Sequence, residues 1–316
     1  MASPPGSSQN RRLTPLTLYS FGRGKAALGF VCIVALASSC TSSSSHNSTS
    51  STTKVTSSAA KIFPAPAGLI AAGPPQANGI MWLLARVGGV ADVTPLNLAT
   101  GKAGGAVPVS SAADTLTELS TATVVVGTAT ASTGSLELLN GTSGSLSSTI
   151  AMSDPVKAVA AGSDGTTVYA LETAPSAETI AVVDTSSGKI TASIPVSSGT
   201  VGVVGSVDGS SVYGVQSNGL ISQYAIAGGK PTARFGIGHS GIAAAISPTG
   251  TTLYVLKSNG VSFNIAVVDL ATEKDVTALA APANSVGLVI SQDASTLYAL
   301  VGTPAVGNVQ SYSLSG

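Results

Sequence analysis

The sequence has few charged residues, few aromatic residues and almost no cysteine. Asp, Glu, Lys and Arg make up 9% of its 316 residues, against roughly 25% in an average globular domain. Glu and Lys are both common helix formers, so their scarcity argues against a helical protein. Aromatic residues amount to 4% and are not interleaved with basic ones. This argues against a nucleic-acid partner.

The two cysteines, Cys32 and Cys40, both lie in the first 40 residues. We therefore expect no internal disulfide in the remainder of the chain. His239 is the only histidine beyond residue 58, and one histidine without cysteine cannot supply the ligands of a zinc site. We predict no metal and no cofactor. Gly, Ser, Thr, Ala and Val dominate instead, a composition typical of short strands joined by tight turns.

The apolar stretch at residues 26–39 has the length of a signal peptide and is too short to span a bilayer comfortably. Polar and positively charged residues precede it, and it ends in Leu36-Ala37-Ser38-Ser39-Cys40. These residues resemble a bacterial lipobox. The resemblance implies a lipoprotein signal peptide over residues 1–39 and a Cys40 acylated with fatty acids such as palmitate. The protein would then be anchored to membrane lipid on the extracytoplasmic face of the cell membrane. The alternative is an ordinary secretory signal.

Residues 40–58 are rich in Ser and Thr and poor in apolar residues. Such a segment cannot bury a core, so we predict a flexible tether. The rest of the chain, residues 59–316, carries nine Lys and Arg against fourteen Asp and Glu, a formal balance of −5. We predict one folded domain over this range.

A repeat runs through residues 59–316. Tyr169, Tyr213, Tyr254 and Tyr298 are separated by 44, 41 and 44 residues, and steps of similar size backwards reach Val125 and Trp82. The spacing defines six copies with a period of about 43 residues, within the range typical of propeller blades and solenoids. One large residue per copy at a fixed phase indicates packing between neighbouring copies.

Each copy has the plan of a four-stranded antiparallel blade. In residues 156–198, four β-prone runs are separated by turn signals, among them Ser163-Asp164-Gly165-Thr166 and Asp184-Thr185-Ser186-Ser187-Gly188-Lys189. Asp and Asn favour such turns because their side chains bond to nearby backbone, and glycine supplies positive φ. We interpret these acids as turn residues and not as catalytic carboxylates. Four short strands per copy predict an all-β fold of propeller blades.

The segment Ser247–Val255, followed by Ile265–Asp269, resembles the YVTN-type β-propeller repeat, as does Ile180–Val196. Members of that family include surface-layer-like proteins, lipoproteins and lactonase-like enzymes. We predict a six-bladed β-propeller, with seven blades as the alternative. The last copy ends after its third strand, and residues 60–65 have the phase of a fourth strand. We therefore expect this N-terminal strand to complete the last blade and close the ring.

Ligands of propellers usually bind at one end of the central channel, on the loops that enter each blade. The repeat phase places six residues in these loops: Ala67, Ser110, Asp154, Ser198, His239 and Ala283. Asp154 and His239, with neighbouring Lys157 and Asn284, are the possible ligand contacts. His239 could act as a general base with Asp154 as its partner, and the alternative is a solvated loop histidine. We assign no catalytic residue.

These observations predict a membrane-anchored, extracytoplasmic β-propeller lipoprotein that acts as a binding or interaction module. Its partner would be an envelope protein or a cell-wall component, and it would not be an enzyme. One alternative is a lactonase-like hydrolase or quinoprotein-like enzyme with its site in the channel near Asp154 and His239. Lactonase-like propellers use a metal or a cluster of His and Arg, whereas this ring has only Arg86 and Arg234. Another alternative is a self-associating surface structural protein.

Overall fold

The computed structural model describes residues 61–120 and 123–314. The predicted signal peptide at 1–39, Cys40 and the tether at 40–58 lie outside the described residues. Strands and turns make up the described chain, and its 25 strands form six antiparallel sheets. It contains no helix of the length and hydropathy needed to cross a membrane.

The first three blades follow one another along the chain. Blade 1 comprises β2 (Leu69–Ala72), β3 (Ile80–Val87), β4 (Val90–Asn97), β5 (Lys102–Ala103) and β6 (Val107–Val109). Blade 2 comprises β7 (Ala113–Ser120), β8 (Thr123–Ala129), β9 (Gly134–Asn140) and β10 (Leu146–Met152). Blade 3 comprises β11 (Val156–Ala161), β12 (Thr167–Ala174), β13 (Ala177–Asp184) and β14 (Lys189–Val196).

The next three blades complete the ring. Blade 4 comprises β15 (Thr200–Gly205), β16 (Ser211–Gln216), β17 (Leu220–Ala225) and β18 (Pro231–Gly236). Blade 5 comprises β19 (Ser240–Ile246), β20 (Thr252–Ser258), β21 (Phe263–Asp269) and β22 (Lys274–Ala281). Blade 6 comprises β23 (Ser285–Ile290), β24 (Thr296–Gly302), β25 (Gly307–Ser313) and β1 (Ile62–Ala65). The predicted six-bladed propeller is confirmed, and the seven-bladed alternative is wrong.

The first strand of each blade lies at the centre of the ring. These strands adjoin one another in the closed order β2, β7, β11, β15, β19, β23 and back to β2. Each is the last member of its sheet, so its inner backbone edge faces a central channel. We call the face with the second-to-third strand turns and the connections between blades the upper face. The lower face carries the first-to-second and third-to-fourth strand turns.

The N-terminal strand closes the ring. β1 pairs antiparallel with β25, from Ile62 opposite Gln310 to Ala65 opposite Gly307. Phe63 is buried in the same apolar cluster as Leu69 of blade 1. Closure from the opposite end of the chain covers the edge that an incomplete last blade would otherwise expose.

Large residues at the repeat phase lie in the second strands and fill the space between blades. Trp82, Tyr169, Tyr213 and Tyr254 are all buried. A Cβ added at Gly205, on the inner strand of blade 4, would collide with the ring of Tyr169 from blade 3. Glycine is therefore required at that position by the close approach of the neighbouring aromatic ring.

Asp and Asn side chains hold the turns of the lower face, as the sequence predicted. Asn97 Oδ1 accepts hydrogen bonds from the backbone N–H groups of Ala99 and Thr100 at 3.0 and 2.9 Å. The hydroxyls of Ser186 and Ser187, with backbone N–H groups, lower the pKa of Asp184 to about 2. These amide and carboxylate side chains hold the turns, since their oxygens accept hydrogen bonds from local donors.

Blade 1 departs from the common plan because its outermost strand is interrupted. β5 pairs with β4 at Leu96 and Asn97, while β6 pairs with β4 at Ala91–Val93. Pro95 lies between them, and its carbonyl accepts from Gly104 N–H at 2.7 Å. In an antiparallel strand the N–H and C=O of one residue point to the same side. Proline therefore lacks the donor that a continuous outer strand needs here.

Candidate functional site

The central channel contains a cavity of about 270 Å³. All six inner strands contribute to its wall, mostly with Ala, Val, Leu, Ile, Gly and Thr. Asp114 and Lys157 are the only charged residues in that lining within the described chain. The channel is thus lined by small and aliphatic side chains and by the backbone edges of the inner strands, with one charged sector.

Every inner strand carries a β-bulge at the same position near the upper face. In β11, Val156 pairs with Glu172 and Ala158 with Leu171, so Lys157 is the extra residue. A bulge re-aims the side chain of the extra residue, and all six extra residues line the channel cavity. We call this set the mouth ring: Ile70, Asp114, Lys157, Val201, Ile242 and Val286.

The two charged members of the mouth ring come from adjacent blades. Asp114 Oδ1 lies 3.2 Å from Arg86 Nη2, and Asp114 Oδ2 lies 3.6 Å from Lys157 Nζ. Arg86 Nη2 also donates to the carbonyl of Ala113. The Nε atom of Arg86 is buried and has no hydrogen-bond partner among the described residues. Two cations therefore share one carboxylate at the mouth.

Carboxylates brace the loops that enter blades 2, 3 and 4. Glu137 accepts from Ser110 N–H at 3.3 Å, and Glu172 from Asp154 N–H at 3.2 Å. The loop into blade 4 is bound twice by Glu178: Oε1 and Oε2 accept from the N–H groups of Gly199 and Thr200 at 3.0 and 2.9 Å. Charge-assisted bonds of this kind are stronger than neutral ones. The upper face is consequently a pre-organised surface on this side.

Glu172 is the most deeply buried of the three bracing carboxylates. Burial raises its pKa above the usual range, and the backbone N–H groups of Asp154 and Ser153 oppose that effect. The negative charge of Asp154 raises it further. Glu172 holds the loop into blade 3, because its oxygen accepts a hydrogen bond from the backbone.

Arg234 has a comparable role at blade 4. Its Nη2 donates to Ser197 Oγ at 2.7 Å and its Nε to Ser222 Oγ at 3.2 Å. Ser222 Oγ also accepts from Gln216 Nε2 at 3.0 Å. This network joins the loop into blade 4 to its second and third strands. Arg234 is thus engaged in the structure of the upper face, away from the channel lining.

Exposed valines occur at the second-to-third strand turns of three consecutive blades on the upper face. Val261 of blade 5 is 93% exposed, Val306 of blade 6 is 53% exposed, and Val87 and Val90 of blade 1 are 52% and 58% exposed. All four lie at second-to-third strand turns, and we call them the apolar arc. The equivalent turns of blades 2–4 carry polar residues such as Thr130, Ser176 and Asn218. Apolar side chains exposed on neighbouring parts of one face are a feature of interaction sites.

A cleft of about 540 Å³ opens next to the arc on blade 1. Val87 and Val90 form part of its wall, together with Pro64 of β1 and Pro66, which follows β1. Gly104, at the interruption of the outer strand, also lines the cleft, as do Asp92 and Thr94 of β4. The cleft therefore follows from the broken pairing at Pro95.

The four residues predicted as ligand contacts lie in or near the loops that enter the blades, on the upper face. Lys157 belongs to the mouth ring. Asp154 is half-buried and His239 is exposed. No hydrogen bond or ion pair joins these two side chains in the described structure. Asp154 lies in the loop into blade 3 and His239 in the loop into blade 5, and the loop into blade 4 lies between them. Asn284 has a φ of 61°, and its carbonyl accepts from Gly302 N–H at 3.2 Å, so it serves a turn.

Of the mouth ring, sequence reasoning named only Lys157 as a possible ligand contact, and it did not identify the apolar arc. The repeat phase gave Asp154 with Lys157 as its neighbour, and of these two only Lys157 lines the channel cavity. A turn-by-turn comparison of the six copies could have found the arc, because the valines stand where other copies have Ser, Thr or Asn. Among residues 61–120 and 123–314, no group of three His, Cys, Asp or Glu side chains is placed to hold a metal ion.

No protein family matches the sequence in a scan against family profiles. No curated protein matches it either. Among solved structures, hydrazine synthase of Kuenenia stuttgartiensis is similar, with a TM-score of 0.50 and 18% sequence identity. The match covers 60% of this chain and 55% of that one, so the chain spans about half the length of the protein it matches. At this identity the likeness bears on the fold alone.

Proposed function

We propose that this protein is a lipid-anchored, extracytoplasmic binding module of the YVTN-repeat type that recognises an envelope component through its upper face. The observation that carries the proposal is the apolar arc beside the blade 1 cleft. Four valines on three adjacent blades expose their side chains on the same face, and water solvates apolar surface poorly. A partner with an apolar surface would cover the arc and insert a side chain into the cleft.

The rigidity of the upper face supports the proposal. Its loops are held by Glu137, Glu172 and Glu178 on one side and by backbone bonds such as Gly68 N–H to Thr303 O, at 2.7 Å, on the other. A pre-organised surface loses little conformational entropy on binding. A tether between the membrane and the ring would let this surface search the neighbouring envelope.

The surface is tested by affinity capture from detergent extracts of the native envelope. In one variant, Val87, Val261 and Val306 become Ser. A control variant carries Val207→Ser and Val276→Ser, which change exposed valines away from the arc. We expect a saturable partner that the arc variant loses and the control keeps. Equal capture by both variants would refute the assignment, and a concentration-dependent dimer lost only in the arc variant would assign the arc to self-association.

The anchor is tested separately with Cys40→Ser. Without the thiol no acyl chain can be attached, so the protein should leave the membrane fraction and lose incorporation of labelled palmitate. Cys32→Ser is the matched control and should remain membrane-bound. Retention of the Cys40→Ser protein in washed membranes would contradict the lipid anchor.

A further inference from the structure

The two cations beside Asp114 differ in how closely they contact its carboxylate. Arg86 holds Asp114 at 3.2 Å and also donates to the Ala113 carbonyl. Lys157 Nζ is 3.6 Å from the same carboxylate, which is beyond hydrogen-bond length, and its side chain is half exposed. An ammonium group has three donors. Lys157 therefore has donors to offer an incoming acceptor, while Asp114 is already compensated by Arg86.

The charge at the mouth favours an anion. Arg86 and Lys157 contribute two positive charges against the single negative charge of Asp114, a net +1 for the three groups. The remaining four members of the mouth ring are aliphatic. None of these four side chains adds a charge, so the net charge at the mouth stays positive.

The channel below the mouth has room for a compact apolar group. Its cavity of about 270 Å³ compares with roughly 150 Å³ for an engineered protein cavity that binds benzene. Leu116, Val203 and Leu288 are among the side chains in its wall. A ring or a branched aliphatic group of about ten non-hydrogen atoms fits that space on the same comparison.

We propose that the channel mouth binds a small monocarboxylate with a compact apolar body. The carboxylate accepts hydrogen bonds from Lys157 Nζ, and the body enters the channel past Ile70, Ile242 and Val286. A primary amine is disfavoured because it would face Lys157 while Asp114 is held by Arg86. A phosphate dianion is disfavoured because the negative Asp114 lies 3.6 Å from the Lys157 ammonium, and the repulsion increases with the charge of the ligand.

This inference rests on the proposed function, since it names a ligand class for the same upper face. It uses different residues, however: the mouth ring lies in the channel, and the apolar arc lies at the outer turns. The two ideas can therefore fail separately. Phenylacetate binding should survive in the triple arc variant, and envelope capture should survive in a mouth variant.

The test uses the full chain purified in detergent, with the same detergent buffer as the blank, so that the result does not depend on the lipid anchor. Phenylacetate, 2-phenylethylamine and acetate are titrated and followed by saturation-transfer NMR. We expect phenylacetate to bind with a dissociation constant at or below about 1 mM, a modest value for a ligand of this size. The amine lacks the anionic head and acetate lacks the apolar body, so both should bind at least tenfold more weakly.

Two variants and a control decide the assignment. Lys157→Met keeps the length of the side chain and removes its charge, and should weaken phenylacetate binding at least tenfold. Val201→Glu adds a repelling carboxylate to the mouth ring and should have the same effect. Lys189→Met alters an exposed lysine near a lower turn and should bind as the wild type does. Wild-type affinity in both mouth variants, or no phenylacetate binding to the folded wild type, would overturn the proposal.

Discussion

Replacing Glu118 by Gln should remove much of the pH dependence of stability between pH 5 and pH 8. Glu118 lies near the lower end of β7 and is only 7% exposed. Its Oε1 accepts from Gln76 Nε2, and its Oε2 is buried without a hydrogen-bond partner among the described residues. Burial raises the pKa of this carboxyl from 4.5 to about 8, and the bond from Gln76 opposes that rise.

The sign of the pH effect on stability follows from which state, folded or unfolded, keeps the Glu118 proton. Between pH 4.5 and about 8 the folded protein keeps Glu118 protonated, while the unfolded chain releases the proton. Raising the pH therefore stabilises the unfolded state, and the free energy of unfolding falls. The limit is about 1.4 kcal/mol per pH unit. With solvent screening we expect a total loss of roughly 2 kcal/mol over this window.

Urea unfolding at pH 5, 6, 7 and 8 measures this loss, with the fluorescence of Trp82, the only tryptophan, as the signal. Glu118→Gln keeps the shape and the acceptor for Gln76 without a proton to lose, so its unfolding free energy should decline less with pH. Glu273→Gln, at an exposed lower turn, is the control and should follow the wild type. Parallel pH profiles for the wild type and Glu118→Gln would refute the reasoning.

Two further predictions concern closure and packing of the ring. Phe63→Ala removes a buried ring from the N-terminal strand and should lower the free energy of unfolding by about 3–5 kcal/mol. Ile62→Ala, at an exposed neighbour, is the control and should change it by less than about 0.5 kcal/mol. Equal effects of the two variants in thermal melts would show that β1 does not close the blade. Gly205→Ala drives a methyl group into Tyr169 and should cost about 1–3 kcal/mol. Gly105→Ala meets no atom within 4 Å and should be neutral or stabilising by up to about 1 kcal/mol, so a comparable loss there would contradict the packing argument.

Interactions between residues close in sequence determine the strands and turns of each blade, as single residues show. Asp184 and Asn97 bond to the backbone just after them, so a turn is encoded by the residues that form it. Each Tyr of the repeat marks a second strand because its ring must pack in the gap between blades. The phase of residues 60–65 predicted the closing strand, since a blade that lacks its fourth strand needs one from elsewhere in the chain.

The candidate sites depended on tertiary structure. Lys157 and Asp114 are 43 residues apart and meet only because their blades are neighbours in a ring. A bulge of one residue turns Lys157 into the channel, and without it the strand alternation would point that side chain toward a neighbouring blade. Glu118 reads as an ordinary strand residue in the sequence, and burial against blade 1 is what raises its pKa.

The sequence by itself thus determined the strand order of a blade and its turn residues, because both are specified within a single copy of about 43 residues. The number of copies predicted six blades and left seven as the alternative. Only the tertiary structure decided which side chains enter the channel, which valines are exposed on the same face of adjacent blades and which carboxyl is desolvated. Those properties depend on which residues of different blades become neighbours when the ring closes, and one copy of the repeat contains no information about that.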